Sequence, residues 1–294
     1  MKIKKRKITE LMFLLPAILI VAVLLVYPVL SSFYFSLTSK NLIKFDFDMV
    51  WLDNFKFVLT NPDFYHAFFN SILWTVMSIA GQLIIGLTAA LALNHLPKFG
   101  GIYRSLLIIP WAFPVIVIGL GWKWILNDVN GFLPNFLLNI GLTDQAIDFL
   151  SNPTFVFLTV VLINIWFGGP LFIINILSAL KTIPNEQYEA AKMDGSNMFQ
   201  SFWHITLRHV RSVIGALVVI RTIWVFNNFE ILFLLTGGGP ANMTTTLPIF
   251  AYQTGWELKQ LGVASTITVL LLLFLLAMCL IYFKILDKWE REDR

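Results

Sequence analysis

The chain has 294 residues, 57% hydrophobic and 13% charged, with a formal net charge of +4 and a mean hydropathy of +0.76. That balance lies outside the range of a soluble globular domain and identifies an integral membrane protein. The positive excess follows the loops on one side of the membrane, so it requires no nucleic-acid partner. The single Cys279 and four scattered histidines offer neither an internal disulfide nor a metal cluster.

A bilayer core takes about 20 mostly apolar residues per helix at about 1.5 Å each. After a basic N-terminus (1–10) carrying Lys2, Lys4, Lys5, Arg6 and Lys7, the chain offers six continuous runs: Leu11–Leu37, Phe69–Leu93, Ser105–Leu126, Thr154–Leu180, Val213–Leu235 and Gly262–Leu286. They predict an all-α protein whose transmembrane domain covers 11–286, with a short tail over 287–294. A β-barrel would show shorter alternating segments. The first run is too long for a signal-peptide core and has no clear small-residue cleavage site, so it reads as an uncleaved span.

The loop Thr38–Phe68, with Trp51, Phe55, Phe57 and Tyr65, predicts short helices over the membrane surface. In span three, Pro110 and Pro114 each free a backbone carbonyl and predict a kink. Lys123, between Trp122 and Trp124, reads as a snorkelling cation in an aromatic belt. The next loop, Asn127–Pro153, has no Lys or Arg but holds Asp128, Asp144 and Asp148 beside Phe132, Phe136, Leu137 and Leu138. Both an interfacial cover and a contact for an external partner fit it. Fifteen Lys and Arg fall in the N-terminus, the loops after spans two and four and the C-terminus, against four in the opposite loops. The positive-inside rule then predicts cytoplasmic termini.

The segment 184–212 is the longest polar stretch inside the predicted domain. Pro184 suits the first turn of a helix, Glu186 and Glu189 lie near its positive dipole end, Gly195 suits a left-handed stop, and Ser196 or Asn197 can cap a second helix. Phe199, Phe202 and Trp203 predict a stripe seating that second helix on the bundle. Ala190 and Ala191 beside Glu189 leave the first helix open to close approach. His204 and His209 lie on different helical faces and read as interfacial polar residues.

Glu189, Ala190, Ala191, Asp194 and Gly195, followed by Ile205, Thr206 and Leu207, resemble the EAA loop of ABC importer permeases. Arg208 and Ser212 stand where that family usually has prolines. Asn70 and Ser71, the run from Pro110 to Pro114, and Phe226 to Glu230 leading into Thr236, Gly237, Gly238, Gly239 and Pro240 resemble the carbohydrate permeases of the maltose and glycerol-phosphate type, in a compact six-span form. The resemblance implies the type I importer permease fold with a cytoplasmic coupling helix, docked on an ATPase through Glu189, Ala190, Ala191, Asp194 and Gly195. It implies a place in the cell membrane and three partners: a second permease subunit, a cytoplasmic ATPase dimer that uses ATP and Mg, and an extracellular solute-binding protein. No GxxxxGK[ST] phosphate loop occurs, so the chain is expected to bind no cofactor and to catalyse nothing itself.

Polar side chains inside hydrocarbon persist where they face a cavity or a partner. On a continuous span five, Arg221, Val225 and Asn228 share a face and Glu230 points away; in span four, Asn164, Gly168 and Leu171 form a stripe. With Trp111 and Val115 from span three, these make the expected sugar site, where an aromatic ring covers a sugar's C–H face while amides and a guanidinium meet its hydroxyls. The expected function is ATP-driven uptake of a di- or oligosaccharide by alternating access. Alternatives are glycerol-phosphate or polyol uptake, with Arg221 as the anion partner, and an ion-coupled secondary transporter, for which Glu230 is the single intramembrane acid. No convergent acid, base or nucleophile set suggests an enzyme.

Overall fold

A computed structural model describes residues 14–96 and 100–292. Leu11, the cluster Lys2, Lys4, Lys5, Arg6 and Lys7, and also Lys98 and Arg294 lie outside the described residues. Every regular element among those described is helical, apart from one isolated bridge between Thr38 and Met49. Five helices are long and apolar enough to cross a membrane, and a bent pair makes a sixth.

The chain forms two compact units. The first comprises residues up to Tyr65 together with Phe250–Phe274. Its spanning helix α1, Leu14–Ser36, widens to a π turn at Ala22–Val26 and has no buried residue in its most apolar window. A helix apolar on all sides and unburied within its own chain suits a membrane span. Helix α2, Asp53–Thr60, is the short surface helix expected in the first loop. Asn54, buried at its start, donates to the Ser36 and Thr38 carbonyls at 2.9 and 2.8 Å, and Thr266 donates to Ser36 at 3.2 Å. These bonds fasten the end of α1 to α2 and to the last helix, of which Leu261–Ile285 is the spanning part.

The second unit comprises His66–Ile249 and the residues from Leu275 on. It takes up most of α3 (Pro62–Asn94) and continues with α4 (Gly101–Ala112), α5 (Val115–Ile125), α6 (Phe132–Asn139) and α7 (Val156–Leu180). Helix α7 supplies the centre, with Val160, Val161, Phe172, Ile173, Ile176 and Leu177 all buried. Lipid tails are as apolar as these side chains, so close packing rather than water exclusion must hold such helices together. Small residues allow it: a methyl group at Gly86 of α3 would overlap Phe172 of α7.

Two expected spans are interrupted. Span three is not one helix over Ser105–Leu126, because α4 and α5 meet at 94°. Phe113 is extended, as a residue preceding proline tends to be, and Pro114 occupies the N-cap of α5. Span five does not run from Val213 to Leu235. One helix, α8, covers Asn185–Met193; the next, α9, is continuous over Met198–Phe226; and the span resumes as α10, Glu230–Thr236. Asn227 ends α9, and the Asn228 Oδ1 accepts from the Ile231 N–H at 3.3 Å. Asparagine favours such local bonds over helix continuation.

In the 184–212 segment, Pro184 is the N-cap of α8 rather than part of its first turn, and Gly195 takes φ +80°. Asn197 caps α9 through a reciprocal pair with Gln200, both bonds 2.9 Å. The aromatic stripe does not seat this helix. Phe199 is 70% and Trp203 50% exposed, whereas the Tyr188 hydroxyl meets the Thr206 hydroxyl at 2.9 Å and Ile205 packs on the core. Thr206 is buried and Phe202 half-buried, while Phe199 and Trp203 are largely exposed.

Candidate functional site

Within the apolar spans of the second unit, α3, α7 and α9 meet in a polar contact. The Arg221 Nε donates to the Gln82 Oε1 at 2.9 Å, and the Gln82 Nε2 donates to the Asn164 backbone carbonyl at 3.0 Å. Gly168, one turn beyond Asn164, makes room for it: a Cβ there would overlap both the guanidinium and the carboxamide. Gln82, Asn164 and Arg221 are 0%, 1% and 5% exposed. Insertion scales assign about 2.5–3.5 kcal/mol to an arginine at mid-membrane. One charge-assisted hydrogen bond returns about 1.5–3 kcal/mol, so the Gln82 contact roughly offsets that cost. No Asp or Glu is buried among the described residues, and the guanidinium has no buried carboxylate beside it there.

Gln82 ends a polar stripe on α3, Ser71, Thr75, Ser78 and Gln82, at steps of four, three and four and all nearly inaccessible. Towards the other end of the stripe, the Trp74 Nε1 donates to the Val225 carbonyl at 3.0 Å. The Ser78 hydroxyl and both polar atoms of the Asn164 carboxamide are buried and make no hydrogen bond among the described residues. Sequence reasoning missed Gln82, Thr75 and Ser78. Their helical spacing within an otherwise apolar run was the signal that would have found them.

Asn70 and Ser71 clamp the loop that follows α10. The Asn70 Nδ2 donates to the carbonyls of Asn242, Met243 and Thr245 at 3.1–3.3 Å, and the Ser71 Oγ accepts from the Leu247 N–H at 2.8 Å. The Asn70–Ser71 signature thereby holds the segment just beyond the Gly237–Pro240 turn. Beside it, Lys123, Asn127, Asp128, Asp148, Thr236 and Gly239 line a polar cavity of about 370 Å³.

Of the residues expected at the sugar site, Asn164, Gly168 and Arg221 are brought together. Leu171 is half-buried one turn from Gly168, and the Val225 side chain is buried. Trp111, 39% exposed, sits in the 3-10 turn that ends α4. Val115 lines a separate cavity with Phe229, Glu230 and Phe233. Asn228, beyond the end of α9, no longer shares a helical face with Arg221. In the 184–212 segment, Glu189, Ala190, Asp194 and Gly195 are exposed and Ala191 half-exposed, so α8 offers its side chains outward. Among the described residues no group of three His, Cys, Asp or Glu side chains could hold a metal ion.

Residues 82–291 match the family model described as the binding-protein-dependent transport system inner membrane component. The trehalose/maltose transport system permease protein MalF of Thermococcus litoralis is 31% identical over 285 residues, covering 97% of this chain and 95% of that one. The sulfoquinovosyl glycerol transport system permease protein SmoG of Agrobacterium fabrum is 30% identical over 95% of this chain and 91% of its own. In fold, the chain matches one from a bacterial ABC transporter involved in the import of the acidic polysaccharide alginate, with TM-score 0.84, 21% identity and 98% of each chain covered. A second alginate transporter structure, in complex with an alginate pentasaccharide-bound periplasmic protein, matches with TM-score 0.81, 21% identity and coverage of 96% and 94%.

Proposed function

This chain belongs to the family of inner membrane components of binding-protein-dependent transport systems, and on that footing we propose that it carries a di- or oligosaccharide through ATP-driven alternating access. It is a multi-pass, non-catalytic subunit of a carbohydrate-type ABC importer. Relatives named for trehalose and maltose and for sulfoquinovosyl glycerol support a glycoside as the cargo. The observation that carries the reading is the buried polar contact of Gln82, Arg221 and Asn164. Deep in an apolar bundle, the Asn164 carboxamide and Ser78 hydroxyl keep hydrogen-bonding capacity that the chain does not use. Such groups match sugar hydroxyls. Trp111, Val115, Asn164, Gly168, Leu171, Arg221, Val225 and Asn228 remain the proposed wall of the path.

The motor lies outside the chain. A cytoplasmic ATPase dimer using ATP and Mg grips α8 at Glu189, Ala190, Ala191, Asp194 and Gly195. A second permease subunit completes the pore, and a solute-binding protein delivers the sugar outside, with both termini of this chain in the cytoplasm. The Tyr188–Thr206 bond supports the same arrangement, since it ties α8 to the helix that carries Arg221. Glycerol phosphate or another polyol phosphate is the second reading. It is favoured by Arg221, whose only hydrogen-bond partner among the described residues is the neutral Gln82.

The test starts from the cognate binding protein, titrated calorimetrically with mono-, di- and oligosaccharides and glycerol phosphate. Vesicles holding both permeases and the ATPases should then take up the tightest ligand only with ATP inside and binding protein outside. Uptake driven by an ion gradient through this chain alone would refute the importer mechanism.

A further inference from the structure

The segment between α1 and α2 carries apolar side chains that nothing in its own unit covers. Residues 43–48 alternate Ile43, Phe45 and Phe47 with Lys44, Asp46 and Asp48. Phe45 is 93% exposed and Ile43 72%, and just beyond them Trp51 and Leu52 are 66% and 67% exposed. The Phe47 ring meets those of Tyr34 and Phe35, in the last turns of α1, edge-on with centroids 6.4 Å apart. Phe45 and Ile43, two and four residues before it, thus stand beside the exposed apolar end of α1.

The backbone holds the segment low, beside the ends of the spans. The Val50 and Trp51 N–H groups both donate to the Leu37 carbonyl, at 2.9 and 3.0 Å, and Ser39 and Asp48 exchange two bonds of 2.9 Å. Leu42 donates to the Lys259 carbonyl and Gly262 to the Lys40 carbonyl, each at 2.9 Å, which ties the segment to the start of the last spanning helix as well. Lys40 turns back over the Phe47 ring at 4.4 Å. Trp51 takes φ +50°, a region where glycine is the default and a bulky side chain is strained. The chain leaves the Trp51 side chain largely exposed.

We propose that Ile43, Phe45, Trp51 and Leu52 form an interfacial anchor, seated in the headgroup and upper acyl region of the bilayer leaflet where α1 ends. The Trp51 indole, an apolar body with one N–H, favours that depth, and Ile43, Phe45 and Leu52 add apolar surface beside it. Lys44, Asp46 and Asp48 then face water on the opposite side. The anchor would fix the depth and tilt of α1, the helix with least support from its own unit.

The chain has one cysteine, so the test is direct. In a Cys279→Ser background, nitroxide labels are placed by Phe45→Cys, Ile43→Cys and Lys44→Cys, and the full chain is put in phosphatidylcholine–phosphatidylglycerol nanodiscs. Collision rates with oxygen and with a polar nickel complex are then read by electron paramagnetic resonance. Labels at 43 and 45 should meet oxygen several-fold more than nickel, with the reverse at 44. Nickel access at 43 and 45 equal to that at 44 would overturn the proposal by showing a water-exposed loop. Low access to both reagents there would overturn it in favour of a protein cover. Trp51→Gly gives a second check: glycine fits the backbone, so Tm in detergent should not fall, while in nanodiscs the nickel access at 45 should rise. A large fall in detergent, or no change at 45, would refute the anchor.

Discussion

Gly168→Ala is the sharpest perturbation of the mid-membrane contact, because its neighbour serves as a control. An added Cβ at Gly168 would overlap the Arg221 guanidinium and the Gln82 carboxamide, whereas one at Gly169 meets nothing within 4 Å. Flexible side-chain ends normally swing aside at little cost. Here both are held by bonds of 2.9 and 3.0 Å in a site without solvent. Either the packing is forced, at about 1–3 kcal/mol, or the arginine loses a charge-assisted bond, at about 1.5–3 kcal/mol. Both routes lead to a loss of about 2 kcal/mol, partly offset by the better helix propensity of alanine, up to about 1 kcal/mol. At roughly 2–4 °C per kcal/mol, thermal unfolding in detergent should show Gly168→Ala several degrees below Gly169→Ala. In a Gln82→Ala background, which frees the space, most of that difference should vanish as a coupling between neighbours. Equal melting of the two glycine variants, or strict additivity with Gln82→Ala, would refute the steric account.

Three further outcomes follow from the same geometry. Gln82→Leu leaves the Arg221 Nε and the Asn164 carbonyl without partners and should cost about 2–4 kcal/mol, while Gln82→Glu keeps an acceptor for Arg221 and should melt closer to the parent. Asn197→Ala removes the reciprocal cap of α9 and should cost about 1 kcal/mol, read as faster amide exchange confined to residues 198–203. Gly195→Asp puts a side chain at φ +80° on the proposed docking face; the two permeases should still co-purify, but ATP-dependent uptake should be lost, and normal uptake would count against docking at α8.

The spans and the two-helix coupling segment were legible because apolar length and cap chemistry are local properties. Gly195 and Asn197 take the roles that their residue types predict, for reasons contained within a few residues of chain. Partnership between helices was not legible. A helical wheel shows that Arg221 and Val225 share a face, but not that the facing residue is Gln82, an uncharged side chain of no known motif 139 positions away. The projection also fails once its helix ends: Asn228 was aligned with Arg221 on the premise that span five continued to Leu235, and the break at Asn227 removes that premise. Phe199 and Trp203 show a related limit, since an apolar stripe has the same spacing whether it faces the bundle or faces out.

The continuity of α9 gives the molecule a lever. From Met198 to Phe226 no loop intervenes, so its 29 residues form a rod about 44 Å long at 1.5 Å per residue. Arg221 stands about 34 Å from the capped end. A tilt of only about 5° about that level would sweep the far end through about 3 Å. Tyr188 ties α8 to the rod at Thr206, within the π turn Phe202–Thr206. π turns inside α-helices are frequent at functional sites, and this one lies where α8 joins the rod.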